Sequence, residues 1–427
     1  MRGKDCFILK GNLIYAKEDR TLAEQPGGFA VCEDGICAGV FDAVPERYQN
    51  FLVTDYKDAL IMPGMTDLHV HAPQYTFRGL GMDLELLDWL SAHTFPEEAR
   101  YAELSYAKQA YPYFVNELRE SYTTRACVFA TLHGAATVEL MDELEESGLV
   151  TYVGKVNMDR NGGENLCEES AAAGAAAARD WLSAVKGRYA RTTPILTPRF
   201  TPCCTDELMR LLAELQRETG LRVQSHLSEN PSEIAWVKEL VPQASCYADA
   251  YALFGMLGSR KTPAVMAHCV YSDDAELALL KEHGTYIAHC PESNLNVSSG
   301  IAPVGKFLAE GLSVGLGSDV AGGSTLSMLR AVTLAVQVSK MYWRLVDNTV
   351  RPLTFADAFY LATLGGGRYF GKVGSFLPGY EFDALAVDDS GVKSVRRLTV
   401  TERAERMAYQ ECACRLVGKY VRGRKLM

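Results

Sequence analysis

"MPGMTDLHVHAPQ" spans residues 62–74 and sets His69 and His71, two of only eight histidines, at the end of an apolar run. Side chains at i and i+2 of a strand project to the same side, so two imidazoles at such an end can grip one ion. A lone H-x-H is more often a packing or surface pair, so its meaning depends on what the rest of the chain supplies.

Working outward, further short runs rich in β-branched and apolar residues follow, each succeeded by a segment of helical period. They are "TTRACVFATL", "VTYVGKVNMD", "TPILTPRF", "LRVQSHLSE", "AVMAHCV", "TYIAHCP" and "LSVGLGSDV", which with "ALIMPGMTDLHV" make eight. Between them lie segments such as "DELMRLLAELQRETG" and "DDAELALLKEHG", with leucines at helical spacing and a terminal glycine. The alanine-rich "AAAGAAAARDWL" reads as another helix, because alanine is the best helix former. Eight strand–helix units predict an α/β chain folded as a (β/α)8 TIM-type barrel, with functional residues at the carboxyl ends of its strands.

The flanks lack helical period. "FILKGNLIYA", "GFAVCEDGICAGVF", "YEFDALAVDD" and "CRLVGKYVRG" read as strands with glycine-rich turns. The expected organisation is therefore three segments: 1–61 and 372–427, which together build a small β-sandwich domain, and the barrel over 62–371. A net charge of −10 opposes nonspecific attraction to nucleic acid or anionic membrane. The basic tail "CRLVGKYVRGRKLM" interleaves its charges with Val417, Tyr420 and Val421, as an exposed-face strand does. No apolar stretch approaches the roughly 20 residues that span a bilayer, and the amino terminus does not read as a signal peptide. The expected compartment is the cytoplasm, where twelve scattered cysteines stay reduced.

Five histidines and one aspartate fall at the predicted strand ends. His69 and His71 end the first strand, His226 the fifth, His268 the sixth, His289 the seventh and Asp319 the eighth. Although up to about 250 residues separate them in sequence, a barrel brings them to one rim. His69, His71, His226 and Asp319, three imidazoles and a carboxylate, make a donor set suited to zinc, and ferrous iron would accept the same ligands.

The set "PGMTDLHVHAP", "SHLSEN", "AHCV" and "GSDV" resembles the amidohydrolase superfamily. "HAPQYTFRG", "LLDWLSAHTFPEEA", "VGKVNMDRN", "TPRFTPCCT", "QSHLSEN", "AHCPESNLNVSSG" and "LGSDVAGGSTLSML" are similar, more narrowly, to the guanine deaminases of that superfamily. The resemblance covers about residues 62–330 and implies one zinc ion per chain, held by His69, His71, His226 and Asp319. It implies hydrolysis of guanine to xanthine and ammonia, a step in purine catabolism. Glu229 would be the proton shuttle, and His268 would lie near the metal's water. Gln74 and Arg199 match substrate-contacting positions, the first offering an amide and the second a rigid fork of donors. The resemblance also implies a homodimer, a small purine base as partner, and no nucleic-acid or membrane partner.

Each role is physically reasonable. A bound metal acidifies its water toward a pKa of about 7. Attack on the amino-bearing carbon then builds negative charge on the ring, so a carboxylic acid must protonate the adjacent nitrogen. Asp319 could accept the water's proton, and His268 could orient the nucleophile. Glu229 could alternatively cap the helix entering at "SENPSEIAWV". Phe200 and Trp89 could face the purine or pack in the core. His289 is expected to support a ligand rather than touch substrate, and His93, His133 and His283 read as structural. Lys155, which ends the third strand, invites comparison with the carboxylated lysine of two-metal relatives. That lysine ends the fourth strand, which here ends in Arg199, so one metal is expected. Competing readings are an aminohydrolase acting on adenosine-like, triazine or pterin rings, and a noncatalytic barrel scaffold.

Overall fold

A computed structural model of the chain describes residues 6–163 and 165–427, so the first five residues of the expected 1–61 segment lie outside the description. The amino-terminal strands β1 (Phe7–Ala16), β2 (Leu22–Glu33) and β3 (Ile36–Phe41) form an antiparallel meander, and β4 (Leu52–Pro63) lies parallel to β1.

The chain then turns sharply into β5 (Met65–His71). A Cβ on Gly64 would lie 2.1 Å from Thr124 Oγ1, so only glycine lets the turn pack this closely on the next strand. "ALIMPGMTDLHV" is thus two strands: Met62 and Pro63 pair with Leu385 and Ala384 near the carboxyl end of the chain, and β5 begins afresh after Gly64.

Beyond β5 come β6 (Thr123–Phe129), β7 (Val150–Gly154), β8 (Val156–Asn157), β9 (Thr192–Pro194) and β10 (Thr197–Pro198). They are followed by β11 (Gln224–Leu227), β12 (Val265–His268), β13 (Tyr286–His289) and β14 (Ser313–Leu316). Two four-stranded parallel sheets result, in the orders β5-β6-β7-β9 and β11-β12-β13-β14, with β8 and β10 as a separate parallel pair. The Leu196–Val223 bridge joins the two sheets on one side. On the other, Asp319 N–H donates to His69 O at 2.9 Å and His71 N–H to Val320 O at 3.1 Å. Every residue of β5 and β6 is buried, as befits parallel strands covered on both faces.

The connecting helices follow their sequence signals. Asp206–Thr219 is capped by Thr205, whose side chain accepts from Leu208 N–H, and stops at Gly220 with φ +68°. Leu208, Met209, Leu212, Ala213 and Leu215 form its buried stripe. The alanine run forms Ala171–Val185, which packs Ala171, Ala175, Ala178 and Trp181 inward.

The end of the chain returns to the first sheet as β15 (Ala384–Asp388), β16 (Arg415–Val421) and β17 (Arg424–Lys425), giving the order β17-β16-β15-β4-β1-β2-β3. The helix Val400–Tyr409, opened by a Thr399–Glu402 capping box, interrupts what reads in sequence as strand. The basic tail is built into this sheet: Arg415 bonds Asp388, Arg422 bonds Glu381, and Lys419 is fully buried. Lys419 Nζ donates to the carbonyls of Leu118, Arg119 and Ser121 at the end of the helix Leu104–Glu120. Arg125 on β6 is fully buried and makes a two-pronged pair with Asp383 at 2.7 and 3.0 Å, plus a bond to Glu381 at 2.8 Å. Cys127, Cys203, Cys204, Cys269 and Cys290 are buried thiols outside any disulfide. Among the described residues, no helix is long and apolar enough to cross a membrane.

Candidate active site

The sequence-predicted ligands meet at one point. His71 Nε2 lies 3.1 Å from His69 Nε2 and 3.2 Å from His226 Nε2, while Asp319 Oδ1 lies 3.2 Å from His69 Nε2 and 3.4 Å from His71 Nε2. Zinc–nitrogen bonds of about 2.0–2.1 Å imply tetrahedron edges of about 3.3–3.4 Å, close to the 3.1–3.4 Å of these four contacts. The proton arrangement agrees. His226 Nδ1–H donates to Arg199 O at 2.6 Å, which leaves its Nε2 lone pair aimed at the other donors. With His226 Nδ1–H donating away, the imidazole nitrogens and the Asp319 oxygen form a buried set of ligand atoms whose chemistry fits a divalent metal.

Burial pushes His69, His71 and His226 below the ordinary histidine range, keeping them neutral and available as donors. Burial alone would raise Asp319, but His69, His268 and His71 hold it well below the usual carboxylate range. Asp67, buried on β5, accepts from His69 N–H and Ser318 N–H at 3.1 and 3.0 Å and ties the first strand of the set to the last.

His268 and Glu229 stand beside this cluster. His268 Nε2 is 3.3 Å from Glu229 Oε2 and 3.7 Å from Asp319 Oδ2, and its Nδ1–H donates to Asn294 Oδ1 at 2.8 Å. Burial alone would lower His268, but the Glu229 and Asp319 carboxylates hold it above its ordinary value. Burial pushes Glu229 up to about 7 despite His268 opposite it, and its Oε1 accepts from Ser299 at 2.8 Å. Glu229 does not cap the following helix. Asn230 and Glu233 make that capping box, and Glu233 accepts from Glu229 N–H at 3.0 Å. Ser228, His268, Cys269 and Asp319 all adopt left-handed backbone, φ +46° to +75°. Such conformations cost about 1–3 kcal/mol each and cluster at functional sites.

A cleft opens onto these groups. Gln74, Arg199, Phe200 and Trp89 all line it, with Leu86, Leu90 and Val297 as apolar wall. Phe200 is buried, 6.3 Å from the His226 ring. Glu98, which sequence reasoning missed, joins two of the lining residues: it accepts from Gln74 Nε2 at 2.8 Å and from both terminal nitrogens of Arg199. It lies within "LLDWLSAHTFPEEA", yet no spacing distinguishes it from Glu97. Asn294 and Ser299 were missed too, being polar residues with no periodic signal.

The remaining histidines fall outside the cleft. His289 is buried and has, among the described residues, no hydrogen-bond partner at either nitrogen, and burial with His268 nearby pushes it down to about 3. It therefore makes no hydrogen bond to a member of the donor set. His283 bonds Gly258 O, His93 stacks on Phe77, and His133 precedes the helix Gly134–Ser147. Lys155 turns away from the cluster into a buried 2.6 Å pair with Glu168.

The model of the amidohydrolase family matches residues 60–426. The guanine deaminase of Mus musculus is 41% identical over 333 residues, covering 77% of this chain and 72% of its own. That of Dictyostelium discoideum is 38% identical over 340 residues, 79% and 74% of the two chains. Among solved structures, guanine deaminase from C. acetobutylicum, with guanine bound in its active site, superposes with a TM-score of 0.94 at 41% identity, covering 99% of this chain and 100% of that one.

Proposed function

The chain belongs to the amidohydrolase family, and from that premise we propose that it is an enzyme hydrolysing guanine to xanthine and ammonia. The observation that carries this reading is the convergence of His69, His71, His226 and Asp319, at 3.1–3.4 Å, beside Glu229 and a cleft lined by Gln74 and Arg199.

In this reading the eight parallel segments close into a (β/α)8 barrel over 62–371. The Leu196–Val223 bridge and the bonds from β5 to the residues after β14 speak for closure. The segments 1–61 and 372–427 form the small β domain. His69, His71, His226 and Asp319 would hold one zinc ion per chain, for which ferrous iron is the alternative. When bound, the metal supplies Lewis acidity that brings a water molecule's pKa toward about 7.

The side chains do the rest. Asp319, held ionised by its histidines, receives the proton released from the water. His268, fixed by Asn294, directs its Nε2 toward the attacking oxygen. Glu229, raised to about 7, is poised to hold a proton at neutral pH. It delivers that proton to the ring nitrogen next to the amino-bearing carbon as the new C–O bond forms. Now a carboxylate, it relays the proton of the new C–OH group to the amino group as the C–N bond breaks and ammonia leaves, and the proton held by Asp319 restores its acid form. Gln74 and Arg199 bind the polar edge of the base, and Phe200 covers a face. We also propose a cytoplasmic homodimer without nucleic-acid or membrane partners; the net charge of −10 speaks against the last two.

The test is ammonia release by zinc-loaded protein from guanine, with adenine, adenosine, cytosine and a pterin in parallel, and Glu229→Gln as control. Guanine turnover abolished by the substitution is expected. Turnover of another ring in place of guanine would overturn the substrate assignment.

A further inference from the structure

Glu98 sits on the short helix Phe95–Ala99, in the connection between β5 and β6, and is buried, with 1% of its surface exposed. Its carboxylate is divided between two residues of the cleft wall that come from different strand ends. Oε1 accepts from Gln74 Nε2 at 2.8 Å and from one Arg199 terminal nitrogen at 3.0 Å, while Oε2 accepts from the other. Gln74 is pinned from its second end as well, because its Oε1 accepts from Ala321 N–H at 3.2 Å. The guanidinium lies 5.2 Å over the Phe95 ring, on the same helix as Glu98.

This fixes the direction of every hydrogen bond along the wall. A flip of the Gln74 amide would set its NH₂ against Ala321 N–H and its oxygen against Glu98. The oxygen is therefore turned to the backbone, and the nitrogen keeps one N–H beyond the one given to Glu98. Arg199 spends one N–H of each terminal nitrogen on Glu98, and its remaining groups are donors too. An ion pair formed within the wall also leaves the guanidinium charge compensated, which suits a neutral base rather than an anion.

We infer that Glu98 is a positioning residue that holds Gln74 and Arg199 as a donor-only edge, and so selects guanine, which offers a ring carbonyl, over aminopurines that lack one. The inference rests on the guanine reading and deepens it. A site built to donate to a carbonyl rejects an analogue without it, because its buried donors are then left unpaired. Replacing Glu98 by glutamine keeps the shape but puts an NH₂ among donors, so that Gln74 or Arg199 must leave its place.

The experiment compares kcat and KM of wild type and Glu98→Gln on guanine and on 2-aminopurine, which has the same reacting amino group and no carbonyl. Metal content is measured on each preparation. With metal content unchanged, kcat/KM for guanine should fall roughly 10–100-fold, the usual effect of losing a supporting partner. For 2-aminopurine it should fall less than about threefold, so that the preference for guanine collapses by about tenfold or more. Equal losses on both substrates would make Glu98 a packing residue and overturn the inference while leaving the guanine reading intact. Absence of guanine turnover in the wild type would remove that reading instead.

A crystal structure of the wild type with xanthine, which keeps the same carbonyl, tests the geometry even if the variant does not fold. The carbonyl oxygen should lie within about 3.2 Å of Gln74 Nε2 and of an Arg199 nitrogen, with Glu98 retaining its three bonds. A carbonyl turned away from both would overturn the inference.

Discussion

Glu229 Oε2 and His268 Nε2 face each other at 3.3 Å, both buried, with Asp319 Oδ2 3.7 Å from the same imidazole nitrogen. Two touching groups that are both raised above their ordinary values share their protons, so the pair rather than either member governs proton traffic beside the donor set.

Glu229→Gln removes the carboxyl that carries the proton while preserving its volume. The expected result is a fall in kcat of about 10²–10⁴-fold with KM changed little. Stopped-flow and steady-state assays on zinc-loaded protein check this. A variant retaining more than a tenth of wild-type kcat would take the shuttle role from Glu229.

The same carboxyl makes the metal-free protein's stability depend on pH. Its folded pKa, about 7, lies above the ordinary 4.5, so the folded state binds the proton more tightly than the unfolded one. This contribution is fully present below about 4.5 and is lost as pH rises through about 7. The shift sets its size at up to about 3 kcal/mol. Urea denaturation of chelated wild type and Glu229→Gln from pH 4.5 to 8 should show the wild type losing ground to the variant as pH rises; parallel curves would count against a raised pKa.

Metal binding should stabilise the fold through the four converging donors. At a thousand times the dissociation constant, zinc adds about 4 kcal/mol to the stability of the folded state. Thermal melts with and without zinc measure this, and elemental analysis should find one equivalent per chain. His71→Ala should cancel the zinc-dependent rise, whereas an unaltered rise would mean that the ion binds elsewhere.

Leu86, Trp89 and Leu90 wall the cleft from the long connection between β5 and β6. Occupancy should therefore protect that connection. Amide exchange over residues 86–99 is expected to slow on adding xanthine, with no change in the terminal sheet; uniform exchange would deny the segment a covering role.

Lys419→Met deletes the three donors that satisfy the Leu118, Arg119 and Ser121 carbonyls. A loss of about 1–3 kcal/mol is expected, because the Arg119 and Ser121 carbonyls lose this donor, while Leu118 O keeps its bond from Ser121 Oγ. Turnover per folded molecule should stay as in the wild type. Equilibrium denaturation and active-site titration separate the two effects.

The donor set was legible in the sequence because each member sits at or just beyond the end of a hydrophobic run, where pattern and chemistry coincide. His69 and His71 stand two apart on β5, and Asp319 follows β14 by three residues. Glu98 was not legible, because its meaning comes from Gln74 and Arg199, 24 and 101 residues away. The break at Gly64 was hidden for a similar reason. The run from Ala59 to Met65 is apolar throughout, and only the approach of Thr124 shows why it must turn. The helix Val400–Tyr409 was overlooked although Thr399 and Glu402 form a capping box at its start. Its buried residues, Val400, Ala404, Met407 and Ala408, do fall on one helical face, but the segment is only ten residues long and stands between strands of the same sheet.

The buried pairing of Arg125 with Asp383 spans 258 residues. During synthesis at about 5–20 residues per second, the guanidinium waits roughly 13–50 s for its carboxylate. Through that interval β6 carries a cation with no counter-charge at a place destined to be dry, so early strands have reason to remain loose. The arrangement makes final assembly of the catalytic half contingent on the arrival of the closing strands, and a ribosome that stalls before Asp383 would release a chain that quality-control proteases can recognise.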